Sequence, residues 1–119
     1  NPVIHYIDGM ANVAEAAEVM RKEKITSLIV EKRTADDAWG LVVAHDMVAG
    51  VVIAAKRPQN VHVYEIMTKP IITVPAAMDI RYVAKLMNQT GIRRTPVEEK
   101  GELIGIVTQS DLIMKGNLF

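Results

Sequence analysis

An internal repeat is the feature that most constrains the fold of this chain. The segment VAEAAEVMRKEKITSLIV, from Val13 to Val30, aligns without gaps with IRYVAKLMNQTGIRRTPV, from Ile80 to Val97. The first copy then carries two extra residues, within KRTADDAW, before GLVVAHDM (40–47) aligns with GIVTQSDL (105–112). Insertions of this kind are typical of polar surface loops. The sequence therefore predicts one structural unit that is built twice.

Each copy predicts the same order of elements. Apolar residues recur at helical spacing, namely Val13, Ala16, Ala17 and Met20 in the first copy and Ile80, Val83, Ala84 and Met87 in the second. Asn12 with Glu15 resembles a capping box, Asp79 can cap the second helix, and Gly91 suits its left-handed end. Short extended pieces, VIHYI and IITV, precede these helices. Two strands follow each helix, and further helices are predicted from Asp46 to about Lys56 and from Asp111 to about Gly116. Each unit is thus predicted to be βαββα.

Composition excludes several classes of protein. Fourteen basic residues balance fourteen acidic ones, which argues against nucleic-acid binding because that depends on phosphate neutralisation. Cysteine is absent, and His5 and His62 lack partners at metal-ligand spacing, so we expect no metal site. No catalytic motif is found, and we expect no enzymatic activity. Residues 38–55 are strongly apolar, but His45 and Asp46 at their centre argue against membrane insertion.

The helix predicted after the first apolar strand pair is apolar on nearly all sides. Its residues 47–55 lack any charged side chain. A helix of this kind is expected to be buried on more than one side, either within the core or partly in a subunit interface. The following segment, KRPQNVH, is predicted to be a solvated linker.

The motifs YEIMTKPIITVPAAMDIRYVAKLM, GIRRTPV and GELIGIVTQSDLI resemble those of a pair of cystathionine-β-synthase (CBS) domains, a Bateman module. The resemblance covers essentially the whole chain and is stronger in the second copy. The first copy has Ile29 where the second has Pro96, and Val43 where the second has Thr108.

The resemblance implies an α/β (α+β) fold of two tandem βαββα repeats, related by pseudo-twofold symmetry and packed into one compact module. It divides the chain into a first repeat at 1–57, a linker at 58–66 and a second repeat at 67–119. It also implies a cytoplasmic regulatory module that binds AMP, ADP or ATP between the repeats, forms a homodimer through the repeat helices and controls an attached or partner enzyme or transporter. No obligatory cofactor is implied.

Thr108 and Asp111 are the first candidate ligand-binding residues. A carboxylate in the first turn of a helix can accept two hydrogen bonds from a ribose diol, while a hydroxyl and the adjacent helix start favour a phosphate. The alternative is that Ser110 and Asp111 only cap the helix. In the family resemblance, the ribose-binding aspartate falls on Asp111 and the hydroxyl on Thr108.

Arg93 and Arg94 are candidates for phosphate binding, because guanidinium groups match phosphate oxygens. The alternative is a solvated pair of charges. The first copy has Thr26 and Ser27 at these positions, so its site lacks this positive charge.

The resemblance also assigns adenine contacts to Ile72, Thr73, Pro96 and Val97, for which the alternative is an ordinary core strand. In the first copy Asp46 is retained without the hydroxyl, so that site is expected to be weaker. Two other functions stay open: an interaction module with vestigial nucleotide sites, and a sensor of S-adenosylmethionine.

Overall fold

The computed structural model describes residues 4–114, and the chain divides into two compact units. One unit spans His5–Ile71, and the other combines Ile72–Phe119 with Asn1–Ile4. Each unit contains its own three-stranded sheet.

The first unit has the predicted order of elements. They are β1 (Tyr6–Ile7), α1 (Val13–Glu23), β2 (Ser27–Val30), β3 (Gly40–Val43) and α2 (Ala44–Met47), which continues into a π-helical segment, Val48–Ile53. Single 3₁₀ turns follow at Pro58–Asn60 and Val63–Glu65. Strand β2 lies at the centre of the sheet, parallel to β1 and antiparallel to β3.

The second unit repeats this topology. Its elements are β4 (Val74–Pro75), α3 (Ile80–Thr90), β5 (Arg94–Glu99), β6 (Glu102–Thr108) and α4 (Gln109–Met114). Strand β5 is central, parallel to β4 and antiparallel to β6. The two tandem βαββα repeats are therefore confirmed. The predicted continuation of the last helix to about Gly116 lies partly outside the described residues.

The long helices begin and end where the sequence places their caps. Asn12 Oδ1 accepts a hydrogen bond from the Glu15 backbone N–H at 2.9 Å, and Asp79 Oδ1 accepts one from the Arg81 N–H at 2.9 Å. The Arg81 guanidinium also binds Asp79 and lowers the pKa of that carboxyl to about 2. Gly91 is left-handed with φ of 76°. Lys24 takes this conformation in the first unit, where no glycine marks the helix end.

Equivalent faces of the two long helices are buried. In the first unit Ala16 and Met20 pack with β-strand residues such as Leu28 and Val42. In the second, Val83 and Met87 pack with residues that include Val74 and Leu112. The helical spacing of apolar residues thus identified the core-facing side of each helix.

The segment predicted to be a solvated linker is only partly solvated. Val61 and Val63 are buried, and the Val61 carbonyl accepts a hydrogen bond from the Val13 N–H at 2.8 Å. The Val63 N–H in turn donates to the Ala11 carbonyl at 2.8 Å. The prediction was wrong at Val61, because one valine among polar residues gives little signal of burial, and Val63 just after the segment is buried as well.

The apolar helix after β3 also differs from its prediction. It begins at Ala44 instead of Asp46, and residues 48–53 are π-helical. Val51 is buried against Val13 and Val61, but Val52 and Ile53 are 70% and 76% exposed. Val52 and Ile53 are thus not enclosed in the core of this chain, and the alternative, that part of the helix lies in a subunit interface, stays a prediction.

Gly50 fixes how closely the π-helical segment approaches the rest of its unit. A β-carbon at Gly50 would lie 2.5 Å from Ile66 Cγ2, well inside van der Waals contact. The segment packs on Ile66 at a distance that only glycine permits.

Gly50→Ala is expected to lower the free energy of unfolding by roughly 1–3 kcal/mol, because the new methyl group overpacks the contact with Ile66. Urea denaturation followed by circular dichroism measures this change. Gly105→Ala is the control, since a β-carbon at Gly105 meets nothing within 4 Å. Equal effects of the two substitutions would contradict the close packing.

Candidate functional site

The register of β5 and β6 brings most of the second repeat's polar candidates together. Arg94 lies directly opposite Thr108 in the antiparallel pair. The carbonyl of Arg93 accepts a hydrogen bond at 3.0 Å from the backbone N–H of Gln109, the first residue of α4. Both arginines therefore lie beside the turn from β6 into α4. Arg93 is exposed and Arg94 is partly buried.

Thr108 and Asp111 are bound to each other across that turn. The Thr108 N–H donates to Asp111 Oδ2 at 3.0 Å, and the Asp111 N–H donates to Thr108 Oγ1 at 3.1 Å. This reciprocal pair is a capping box at the start of α4. The capping role weighed as an alternative for Asp111 is therefore present, and its partner is Thr108.

The first repeat keeps one half of this arrangement. The Val43 N–H donates to Asp46 Oδ2 at 2.8 Å, as the Thr108 N–H does to Asp111. Valine has no hydroxyl, so the return bond to the Asp46 N–H is absent. His45 beside it is exposed, as expected of a residue at the start of a helix.

The segment before β4 is held by a residue that sequence reasoning missed. Thr95 is buried, and its Oγ1 donates to the Ile72 carbonyl at 2.7 Å. This bond ties Ile72, which lies outside β4 and is exposed, to the central strand β5. The first copy has buried Leu28 at the position of Thr95. A polar residue that replaces a core leucine in one copy is the signal that identifies such a bond.

The four residues assigned to adenine contacts divide into two groups. Ile72 and Thr73 precede β4 and are at least partly accessible. Pro96 is fully buried in β5, opposite Ile106, and Val97 pairs with Val74. Pro96 thus belongs to the core of its strand, whereas Ile72 and Thr73 are not strand residues.

Two further properties concern metals and membranes. Among residues 4–114, no three His, Asp or Glu side chains come together as the ligands of a metal ion would. Within the same part of the chain, no helix combines the length and the apolar character needed to cross a bilayer.

Comparison with known proteins identifies a family. The family model for the CBS domain matches residues 63–116. The chain is 39% identical over 100 residues to the uncharacterized protein MK0525 of Methanopyrus kandleri, covering 83% of this chain and 50% of that protein. It is 30% identical over 109 residues to YlbB of Bacillus subtilis, covering 92% and 73%. The chain thus spans about half the length of the first relative and most of the second.

Solved structures agree with the sequence relatives. A hexameric CBS-CP12 protein from bloom-forming cyanobacteria superposes with a TM-score of 0.91 and 39% identity, covering 97% of this chain and 66% of that one. The CBS domain protein TA0289 of Thermoplasma acidophilum superposes with a TM-score of 0.81 and 26% identity, covering 94% and 63%. Neither of these proteins nor the two relatives has a name that indicates an enzyme.

Because Thr108 has a capping hydroxyl and Val43 does not, exchanging the two residue types is expected to change the stability of the chain in opposite directions. Thr108→Val removes the return bond to the Asp111 N–H and is expected to lower the free energy of unfolding by about 1 kcal/mol. Val43→Thr supplies that bond to Asp46 and is expected to raise it by up to about 1 kcal/mol. Thr108→Ser keeps the hydroxyl and serves as the control.

Urea denaturation of the three variants measures these changes. If Thr108→Val and Val43→Thr altered stability in the same direction, the hydroxyl would not be the difference between the two caps.

Proposed function

The chain belongs to the CBS domain family, and we propose that it is a regulatory module that binds an adenine nucleotide. AMP, ADP or ATP is the proposed regulatory ligand, with no obligatory cofactor. The module has no catalytic activity of its own in this proposal. Binding controls an attached or partner protein, such as an enzyme or a transporter.

One observation supports the proposal: Thr108 and Asp111 lie at a strand-to-helix turn, and the backbone pairing of β5 with β6 brings Arg93 and Arg94 beside the same turn. Thr108 and Asp111 are bound to each other there, and Arg94 lies opposite Thr108. A nucleotide presents a ribose diol, which donates hydrogen bonds, and phosphates, which accept them. The residues at the turn offer the complementary groups.

Asp111 is proposed to bind the ribose while it caps α4. A carboxylate has about four acceptor sites on its two oxygens, so the same group can accept the capping bond from the Thr108 N–H and bonds from a diol. The capping box would then fix the carboxylate before the ligand arrives. Such preorganisation lowers the entropic cost of binding.

Arg93 and Arg94 are proposed to bind the phosphates, which favours a phosphorylated ligand over S-adenosylmethionine. Ile72 and Thr73 are proposed to contact the adenine, with the Ile72 backbone held by Thr95. Pro96 and Val97 would support this contact from within β5.

The first repeat is proposed to be the weaker site. Asp46 is held by the Val43 N–H as Asp111 is by the Thr108 N–H. Thr26 and Ser27 replace the two arginines, and Val43 replaces the hydroxyl. A nucleoside could still meet Asp46 through its diol, but its phosphates would lack a cationic partner.

A second candidate function is protein interaction through a homodimer. Val48 in the first repeat and Ile113 in the second occupy equivalent positions of the repeat, and both are exposed. Val52, Ile53 and Met114 extend these apolar surfaces. Exposed apolar patches mark interaction sites, and the cyanobacterial CBS-CP12 relative is a hexamer. We propose that the repeat helices form a homodimer contact, in the cytoplasm where adenine nucleotides would reach the module.

Calorimetric titration with AMP, ADP, ATP and S-adenosylmethionine is expected to show one dominant site per chain that prefers a phosphorylated ligand. Asp111→Asn is expected to weaken nucleotide binding at least roughly tenfold, because it removes the charge that accepts the ribose hydroxyls. Asp46→Asn is the matched control and should leave the dominant site almost unchanged.

Arg93→Gln and Arg94→Gln are expected to weaken ATP binding and to leave adenosine binding almost unchanged. Arg21→Gln, on the exposed face of α1, controls for loss of charge. Absence of binding by all four ligands, together with a dimer in light scattering, would refute nucleotide sensing and favour the interaction module.

A further inference from the structure

The first unit contains a cleft that the proposed nucleotide site does not use. It has a volume of about 370 Å³, within the range of small-molecule pockets. Its lining comes from three places: Asp8, Gly9 and Met10 after β1; Val30, Glu31 and Arg33 at the end of β2; and Tyr64, Met67 and Lys69 from the segment after the π-helix. The cleft thus lies at the carboxyl ends of the parallel strands β1 and β2.

The cleft is separate from the first repeat's own strand-to-helix turn. Strand β3 runs antiparallel to β2, and Val43 at its end pairs with Ser27 at the beginning of β2. Asp46 therefore lies near the opposite end of this sheet from Glu31. A ligand in the cleft would not be the nucleoside expected to meet Asp46.

The charged groups of the cleft have both signs. Asp8 and Glu31 supply carboxylates, while Arg33 and Lys69 supply cations. Lys69 Nζ already contacts Asp37 Oδ2 at 2.7 Å, and this bond lowers the pKa of the Asp37 carboxyl to about 2. With Asp37 included, three carboxylates meet two cations, so a polyanion such as a nucleotide is disfavoured. A ligand with both an ammonium and a carboxylate group matches this set.

Apolar side chains complete the lining. Met10 and Tyr64 both line the cleft and are 61% and 49% exposed. Val30 and Met67 also line the cleft and are more buried. Methionine adapts its shape to different apolar partners, and the Tyr64 ring is held by stacking on His62 at 5.2 Å. An apolar or aromatic side chain of the ligand would cover these surfaces.

Gly9 lies beside Val30 and Tyr64 in the wall of the cleft. A β-carbon at Gly9 would lie 3.4 Å from Val30 Cγ1 and 3.6 Å from Tyr64 Cβ, both of which belong to cleft residues. A larger side chain at this position would occupy space between the sheet and Tyr64.

We propose that this cleft binds a free α-amino acid with an apolar or aromatic side chain. Asp8 and Glu31 accept hydrogen bonds from its ammonium group, and Arg33 with Lys69 binds its carboxylate. The side chain packs on Met10, Tyr64 and the other apolar lining residues.

Binding there would act on the segment that leads out of the first repeat. Tyr64 and Lys69 belong to this segment, which is attached to the first repeat by backbone bonds such as Tyr64 N–H to the Gly9 carbonyl at 3.0 Å. The Thr68 N–H donates to the Leu41 carbonyl at 2.8 Å. A bound amino acid would contact Gly9 and Tyr64 at the first bond, and Met67 and Lys69 on either side of Thr68, and would so slow the opening of both bonds. The cleft would therefore let the module respond to a second ligand, an amino acid, that binds independently of the nucleotide.

The test is a titration of the isotopically labelled chain with L-phenylalanine and L-methionine, followed by the amide NMR signals of Gly9, Glu31 and Tyr64. Both amino acids are expected to shift these signals and to saturate. Phenethylamine, which lacks the carboxylate, and 3-phenylpropanoate, which lacks the ammonium, are expected to bind at least roughly tenfold more weakly. Slower hydrogen exchange at Tyr64 and Thr68 is expected with the amino acids alone.

Substitutions inside and outside the cleft distinguish binding by the cleft residues from a general effect of the charge of the protein. Glu31→Gln and Arg33→Gln are expected to weaken phenylalanine binding at least roughly tenfold. Glu18→Gln and Arg21→Gln, which alter an exposed pair on α1, should leave it unchanged. Asp111→Asn should also have no effect, so failure of the nucleotide proposal would not affect this result.

Three outcomes would overturn the proposal. One is no shift by either amino acid up to about 10 mM, a concentration well above that of a useful regulatory site. The second is binding of phenethylamine or 3-phenylpropanoate as tight as that of phenylalanine. The third is competition between AMP and phenylalanine, which would make the cleft part of the nucleotide site.

Discussion

Each repeat depends on a hydrogen bond from the last residue of its third strand to a carboxylate three residues later. The Val43 N–H donates to Asp46, and the Thr108 N–H donates to Asp111. These bonds satisfy a backbone donor that neither the strand nor the helix can pair. They lie where β3 and β6 end and where the following helices begin. The same bond holds the carboxylate of Asp46 or Asp111 at the turn of each repeat. The group that caps the helix is therefore also a candidate for binding a ligand.

The two repeats differ in what surrounds that carboxylate. In the second repeat Thr108 returns a hydrogen bond to Asp111, and the β5–β6 register adds Arg93 and Arg94 beside the turn. In the first repeat, apolar and uncharged residues occupy these places. Duplication therefore preserved the fold of the turn, while the polar groups that suit a phosphorylated ligand are concentrated in one copy.

Local sequence signals predicted most of the fold. Helical spacing identified the buried faces of α1 and α3, and Asn12 and Asp79 marked their beginnings, because caps and periodicity are short-range properties. Burial of Val61 and Val63 was missed, since it depends on contacts with α1 that are distant in sequence. For the apolar helix around Val52 and Ile53 the sequence left two alternatives open, the core or a subunit interface, because such a helix can be covered by its own chain or by another one.

The candidate site itself stays a prediction, but its residues could be named from the sequence. The sequence predicted Thr108, Asp111 and the two arginines as candidates, and the strand register accounts for their proximity along the backbone. It did not identify the bond from Thr95 to the Ile72 carbonyl, which joins residues on different segments. No sequence motif marks the cleft of the first unit, because its lining residues come from three separate stretches of chain.

The central claim is that one copy of the duplicated turn binds a nucleotide and the other does so weakly or not at all. The most direct measurement is the change in amide NMR signals of the labelled wild-type chain when AMP is added. We predict large, saturating shifts at Arg94, Thr108 and Asp111 at concentrations that leave Val43 and Asp46 almost unchanged. Absence of any shift at Thr108 and Asp111, or equal shifts at both turns, would contradict this account.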